Sequence, residues 1–207
     1  MMSAMRTMLA ALLLVVVAGA CAPTTPPDGS LPCNEMIDQQ RAAGFDTVLE
    51  AALPVAVWDA TPVTVDSGRE CSQLRLGPLW GAGIRELRSA GAIFELPDKT
   101  GYSLVVYSAS GLTLDNLAYA FERGARGGRK TQGLTIVDIQ VGSWPGKQFT
   151  LINGDHRQVI TLFDTGEADR VRGLLTSDIS NALIADRLAA YAAALKKGSK
   201  KGRYHDV

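Results

Sequence analysis

The sequence predicts an α+β fold, in which a mainly antiparallel sheet packs against helices and a long C-terminal helix completes a single domain. Short apolar segments with the two-residue period of strands are separated by turn residues such as Asn153-Gly154. Two longer segments carry the helical period instead, one in the middle of the chain and one near its end. Strands interrupted and followed by helices are typical of α+β domains, with helices on one or both faces of the sheet.

The first part of the domain contains elements of both kinds. Residues 34–50 predict a helix or a helical pair, with Asn34 as its cap and a break at Gly44. The valines that follow alternate with smaller residues, and Pro62 restricts the strand they predict to an edge or a bulge. The further candidates are strands at residues 55–65 and 72–79 and a helical turn at residues 84–88.

The clearest local unit is a hairpin, in which residues 92–96 and 102–107 predict strands around the polar turn 97–101. A helix follows, with Thr113 as its cap and Gly124 placed to end it. Positions i, i+3, i+4 and i+7 form its apolar face. These positions are Leu114, Leu117, Ala118 and Phe121.

Three more strands and a long helix follow the middle helix. The strands are predicted at residues 134–141, 148–152 and 158–163, with turns at residues 144–146 and 153–155. The long helix covers about residues 177–197. Its apolar stripe consists of Ile184, Leu188, Tyr191 and Leu195. Trp80 and Trp144 stand beside Gly and Pro and are interpreted as core corners, with exposed stacking on a ligand as the alternative.

Residues 92–197 resemble the PsbP-like sandwich domain found in several bacterial lipoproteins. The shared features are the hairpin, the middle helix, the Trp144-Pro145-Gly146 segment among the strands, and the C-terminal helix. The resemblance covers about half of the chain. It implies a sheet-and-helix architecture and no particular activity.

Residues 1–20 have the pattern of a signal peptide. Arg6 is their single charge, and the apolar run at residues 8–17 is shorter than the roughly 20 residues of a transmembrane helix. The segment Ala18-Gly19-Ala20-Cys21 then resembles the lipobox of bacterial lipoproteins. The resemblance implies cleavage before Cys21 and lipid on that cysteine. The alternative is an ordinary secretory signal that is cut after Ala20 and leaves Cys21 as a free thiol.

Lipid on Cys21 would anchor the protein to the bacterial cell envelope, because two or three acyl chains hold a protein at a membrane almost permanently. By the convention of lipoproteins, Ala22 at the second mature position implies the periplasmic face of the outer membrane, where the organism has one. Residues 21–32 are then the lipidated cysteine and a flexible tether rich in Pro and Thr. Residues 33–197 form the globular domain, and residues 198–207 a disordered basic tail.

The two other cysteines, Cys33 and Cys71, predict a disulfide. Exported proteins mature in an oxidising compartment, and lipidation of Cys21 leaves an even number of thiols. Two buried free thiols are the alternative. No metal site is predicted, since the scattered cysteines and two histidines lack ligand spacing.

Charge is balanced over the whole chain, with 21 basic and 21 acidic residues, so no global field favours a nucleic-acid partner. Locally, four cations follow the middle helix and predict a site for an anionic partner, such as lipid headgroups or an acidic envelope polymer. They are Arg123, Arg126, Arg129 and Lys130. The alternative is that they provide solubility and oppose the helix macrodipole. A second basic cluster comprises Lys196, Lys197, Lys200, Lys201 and Arg203.

Catalytic motifs are not found in the sequence. Lys99-Thr100-Gly101 matches one element of penicillin-recognising enzymes, but no serine is followed by lysine three positions later. Residues 124–130 are rich in Gly and basic residues yet lack the ending of a phosphate-binding loop. His156 is interpreted as a turn histidine, with an acid–base role as the alternative. Carboxylates that could converge only in the fold are Asp138, Asp155 and Asp164.

The sequence therefore predicts a membrane-tethered, non-enzymatic domain that binds a protein, a polymer or a small ligand, with no catalytic residue and no cofactor. Two other hypotheses stay open. One is an envelope hydrolase whose site is assembled by the fold, which requires titratable groups within hydrogen-bond reach in a pocket. The other is a subunit of an envelope assembly, which requires a contiguous exposed apolar patch.

Overall fold

The computed structural model describes residues 28–34, 41–55, 60–96 and 100–201, and side chains as far as residue 197. Seven antiparallel strands form one sheet with the order β1-β2-β3-β7-β6-β5-β4. The strands are β1 Thr64–Glu70, β2 Leu87–Glu95, β3 Gly101–Ser108, β4 Thr131–Val141, β5 Trp144–Asn153, β6 His156–Phe163 and β7 Arg170–Ser177. The last strand lies between β3 and β6 and joins the early and late strands into one sheet.

Helices cover both faces of this sheet. They are α1 Thr47–Ala51, α2 Gln73–Leu76, α3 Pro78–Gly81, α4 Leu114–Gly127 and α5 Asn181–Lys201. Side chains of α1 and α5 pack into one core, and those of α2, α3 and α4 pack into a second core. The α+β fold class is confirmed, and the chain places helices on both faces.

The interior strand β6, next to β7 at the middle of the sheet, shows why two cores form. Val159 and Phe163 belong to the core beneath α1 and α5, and Ile160 and Leu162 belong to the core beneath α4. Successive side chains of a strand point to opposite faces. A strand that is covered on both faces is therefore apolar at consecutive positions.

Several predicted elements are confirmed. The hairpin forms with β2 and β3 in register, and Thr113 caps α4 with a reciprocal bond to Asn116. The apolar stripe of α5 faces the core, with Ile184 and Tyr191 buried. A disulfide joins Cys33 and Cys71.

The strand predicted at residues 72–79 is wrong, because this segment forms α2 and α3. Ser72 accepts a hydrogen bond from the Arg75 amide and thereby caps α2, and Pro78 occupies the first turn of α3. Gly77 separates the two helices with φ +49°. The helical turn predicted at residues 84–88 is also wrong, since β2 begins at Leu87.

The first predicted helix and strand are shorter than the sequence suggests. In the described part of residues 34–50, the α-helix comprises only the start of α1, which Asp46 caps. Gly44 adopts φ +81°, which is consistent with the expected break. The strand begins at Thr64, after Pro62, because proline cannot donate to the ladder with β2. Residues 35–40 and 56–59 lie outside the described residues.

The boundaries of the later elements also differ from the prediction. Residues 144–146 open β5, and the turn lies at Gly142 and Ser143, where Gly142 has φ +64°. Gly124 lies inside α4, which ends at Gly127. Strand β7 was not predicted, because its sequence RVRGLLTS contains two arginines and a glycine and lacks a clear alternation.

The segment before Cys33 is held against the domain. Buried Arg69 donates to the carbonyl oxygens of Asp28, Leu31 and Pro32, at 3.2, 2.8 and 3.3 Å respectively. Arg88 donates to the Gly29 carbonyl at 2.9 Å. Residues 28–32, expected in the tether, thus contact β1 and β2. At the other end, α5 continues to Lys201, into the expected tail.

Candidate ligand-binding cleft

A cleft of about 880 Å³ lies between the helices α2 and α3, the helix α4, and the sheet beneath them. Small-molecule sites typically enclose about 300–1,000 Å³, so the cleft is of the size that a small ligand requires. The helices are held over the sheet by the second core, in which Leu79, Leu117 and Ile160 are buried. The walls of the cleft therefore come from three separate stretches of the chain.

The floor of the cleft is apolar. Its side chains are Leu76, Leu79, Leu87, Leu117, Phe121, Leu151 and Ile160. Phe121 packs edge-on against Tyr107 with the ring centroids 6.0 Å apart. Burial raises the pKa of Tyr107 to about 12, from an ordinary value of 10 at which the hydroxyl is already uncharged at neutral pH. Gln158 and Asn153 bring amide groups to one side.

Cations line the rim at the end of α4. Arg123, Arg129 and Lys130 border the cleft and are exposed, and among the described residues they form no ion pair. Across the cleft, Arg75 is neutralised by Glu70 at 3.0 Å. The rim therefore carries its uncompensated positive charge at one end.

The fourth cation of the predicted cluster is different. Arg126 binds Glu122 at 2.8 Å, one turn earlier on α4, and does not border the cleft. The structure thus divides the predicted cluster into three cations at the rim and one that is paired outside it. The opposite wall, formed by α2 and α3, was not predicted from the sequence. The serine cap at Ser72 and the Gly77-Pro78 pair are the sequence signals that mark these helices.

The second basic cluster lies apart from the cleft. Lys196 stands over the Trp144 ring with its Nζ 5.6 Å from the centroid, and that ring packs against Phe163. Trp144 is thus a corner of the other core. Trp80 is half-buried beneath the Arg85 guanidinium at 4.2 Å. The side chains of Lys200 and Lys201 and all of Arg203 lie outside the described residues.

His156 contacts a carboxylate. Its Nδ1 lies 2.5 Å from Asp178 Oδ2, and Asp178 also accepts from the Arg157 amide at 2.8 Å. The Ser177 hydroxyl donates to the same Oδ2 atom at 3.3 Å. The carboxylate therefore lies between the hydroxyl and the imidazole, whereas a Ser-His-Asp triad needs the imidazole in the middle. Neither His156 nor Asp178 lines the cleft.

The carboxylates named from the sequence have separate roles. Asp138 binds Lys147 at 2.9 Å, and Asp164 accepts from the Gly166 amide at 2.7 Å. Asp155 lies in the β5–β6 turn. Of the Lys99-Thr100-Gly101 segment, Lys99 lies outside the described residues and Gly101 opens β3. In the part of the chain that the structure describes, no three acidic, histidine or cysteine side chains form a metal site.

No protein-family model matches the chain, and no curated protein matches it either. None of the helices within the described ranges is long and apolar enough to cross a membrane. The function has to be inferred from the residues of the cleft itself.

Proposed function

We propose that the protein is a lipid-anchored lipoprotein of the bacterial envelope whose domain binds a small anionic ligand in the cleft, without catalysis. The observation that carries this proposal is the rim of the cleft. Arg123, Arg129 and Lys130 stand together beside an apolar floor and lack ion-pair partners among the described residues. Such cations raise the local concentration of anions and form charge-assisted hydrogen bonds with carboxylate or phosphate groups.

The anchor is supported by the sequence around Cys21 and by the pairing of the other cysteines. Cys33 and Cys71 form a disulfide, so Cys21 is the odd cysteine of the chain. Disulfides are characteristic of proteins that mature outside the reducing cytosol. Two or three acyl chains on Cys21 would hold the protein at the membrane surface.

The anchor can be tested by metabolic labelling with palmitate in a host that processes lipoproteins. We expect label on the wild-type protein and none on Cys21→Ser, because the acceptor thiol is removed. Thr24→Ser is the matched control, since it changes a residue of the same segment but leaves residues 18–21 and the disulfide intact. Equal labelling of Cys21→Ser and the wild type would contradict the proposal.

Ligand binding can be tested with the anionic dye 8-anilino-1-naphthalenesulfonate and the mature chain carrying Cys21→Ser. The triple variant Arg123→Gln/Arg129→Gln/Lys130→Gln should bind the dye about tenfold more weakly, a loss of about 1.4 kcal/mol. Arg126→Gln is the matched control, because its guanidinium is already paired with Glu122 outside the cleft. Saturable binding that is the same in both variants would contradict a role for the rim cations.

A further inference from the structure

We infer that the ligand of this cleft is a single-chain anionic amphiphile, a molecule with one hydrocarbon chain and one terminal carboxylate or phosphate group. The inference rests on the proposed function, because it takes the cleft as the binding site. It goes further by stating which chemical class the site selects. Three features of the cleft support it: the apolar floor, the position of the charge, and the exposed leucine at the mouth.

The apolar floor favours a hydrocarbon chain over a polar ligand. Leucine, isoleucine and phenylalanine side chains from α3, α4, β5 and β6 line it: Phe121 is partly exposed, and the buried Leu79, Leu151 and Ile160 close the floor beneath it. A sugar or peptide placed there would lose hydrogen bonds to water without replacing them, at about 1–3 kcal/mol for each buried group. A hydrocarbon chain gains about 0.8 kcal/mol for each methylene that leaves water.

The positive charge at one end of the rim favours a ligand with an anionic group at one of its ends. Arg123, Arg129 and Lys130 are close in sequence, at the end of α4 and in the loop before β4. The cation on the opposite wall, Arg75, is neutralised by Glu70. The Tyr107 hydroxyl, like any tyrosine hydroxyl at neutral pH, adds no charge to the cleft. A ligand with a single charged end matches this asymmetry.

An exposed leucine lies at the mouth of the cleft. It is near residues 28–33, the docked N-terminal segment that Arg69, Arg88 and the disulfide hold against the domain. Leu74 in α2 lines the cleft and is 91% exposed. It is three residues from Cys71, whose disulfide partner Cys33 ends the docked segment. The seven residue steps from Asp28 back to Cys21 span at most about 25 Å. An anchor on Cys21 would therefore hold α2 close to the bilayer in which amphiphiles dissolve.

The test uses the mature chain with Cys21→Ser and equilibrium titrations with monomeric ligands. The arms are myristate and a lysophosphatidate as the two sources of the anionic head, myristyl alcohol as the uncharged chain, and butyrate as the head without the chain. We expect myristate or the lysophosphatidate to bind at least about tenfold more tightly than both myristyl alcohol and butyrate, a difference of about 1.4 kcal/mol. The arm that binds more tightly identifies the source.

Two variants separate the contributions of head and chain. The triple variant of Arg123, Arg129 and Lys130 should reduce the affinity for myristate about tenfold and leave that for myristyl alcohol unchanged. Leu74→Ser should weaken both ligands by about threefold, because it removes apolar contact at the mouth. Val48→Ser is the matched control, since Val48 is 70% exposed on α1 and does not line the cleft.

The outcomes distinguish failure of the amphiphile inference from failure of the proposed anionic-ligand site. Butyrate binding as tightly as myristate would overturn the amphiphile inference and leave the anionic site intact. If myristyl alcohol binds as tightly as myristate, the rim cations do not contribute to binding. This result would overturn both the proposed anionic site and the amphiphile inference. Binding of none of the four ligands would overturn the amphiphile inference, and the dye titration would then decide whether the cleft binds anions.

Discussion

At the scale of single residues, the buried arginine Arg172 shows how the interior accommodates charge. Its side chain is 4% exposed, donates to the Ala52 carbonyl at 2.8 Å and binds Glu167 at 2.9 Å. Burial alone would raise the pKa of Glu167, but the hydrogen bond and charge of Arg172 lower it below the ordinary 4.5. Arg172 thus links β7 to the end of α1 through the Ala52 carbonyl, and Glu167 balances its charge.

Removing the carboxylate should leave a buried guanidinium without its counter-charge. We expect Glu167→Gln to reduce the free energy of unfolding by about 1–2 kcal/mol, less than for a fully buried pair because Glu167 is 39% exposed. Urea unfolding at pH 7 measures this change. Glu122→Gln, which breaks the surface pair with Arg126, is the control and should cost under about 0.5 kcal/mol.

The same carboxylate predicts a pH dependence. A group whose pKa is lower in the folded state contributes stability above its unfolded value, and this contribution is lost as pH falls through the folded value. The wild-type protein should therefore lose stability relative to Glu167→Gln as pH falls below 4.5. Urea midpoints of both proteins at several pH values provide the measurement. A constant difference down to the acid limit would show that Glu167 does not contribute in this way.

At the scale of elements, β7 is the strand that unites the sheet, and close packing controls its position. A Cβ atom on Gly173 would lie 3.0 Å from both the Thr161 carbonyl oxygen and a Val105 methyl group. The glycine therefore allows β7 to fit between β3 and β6. The residue that weakens the strand signal in the sequence is required by the tertiary packing.

A pair of glycine substitutions tests this requirement. Gly173→Ala should destabilise the protein by about 1–3 kcal/mol, since the added methyl group overpacks the sheet. Gly124→Ala is the matched control, because it adds the same atom inside α4 with nothing within 4 Å. That variant should be stabilised by about 0.5–1 kcal/mol. Thermal unfolding compares the two variants, and equal midpoints would contradict the packing argument.

At the scale of the whole molecule, the disulfide joins the docked N-terminal segment to the edge of the sheet. It links Cys33 to Cys71 across 38 residues, just before α2. Hydrogen bonds from Arg69 and Arg88 hold the same segment in place. The disulfide thus brings the start of the domain next to Cys71 and Leu74 in space, although they are 38 or more residues apart in the chain.

Removing this link should have both a thermodynamic and a local effect. The double variant Cys33→Ser/Cys71→Ser should lose about 3–4 kcal/mol, because a closed loop of that length restricts the unfolded chain. It should also be cleaved faster by proteases near residues 28–34. Unfolding curves and limited proteolysis measure these effects, with Leu74→Ser as an exposed control. An unchanged cleavage pattern would indicate that the hydrogen bonds of Arg69 and Arg88 hold the segment without the disulfide.

Elements with strong local signals could be predicted without the fold. Thr113 and the spacing of Leu117 and Phe121 predicted α4, and the two-residue period predicted the hairpin of β2 and β3. The signal peptide, the lipid on Cys21, the PsbP-like resemblance and the envelope location stay predictions from sequence. All of these depend on residues near one another in the chain, so a local pattern suffices to propose them.

The tertiary structure alone decided the order of the strands and the site. Helices of four residues, such as α2 and α3, are too short to show a period, and β7 is recognisable only by its neighbours. The cleft joins residues 74–87, 107–131 and 151–160, which are remote in sequence. Strand pairing and helix packing bring these side chains together across long loops, and no local pattern encodes that proximity.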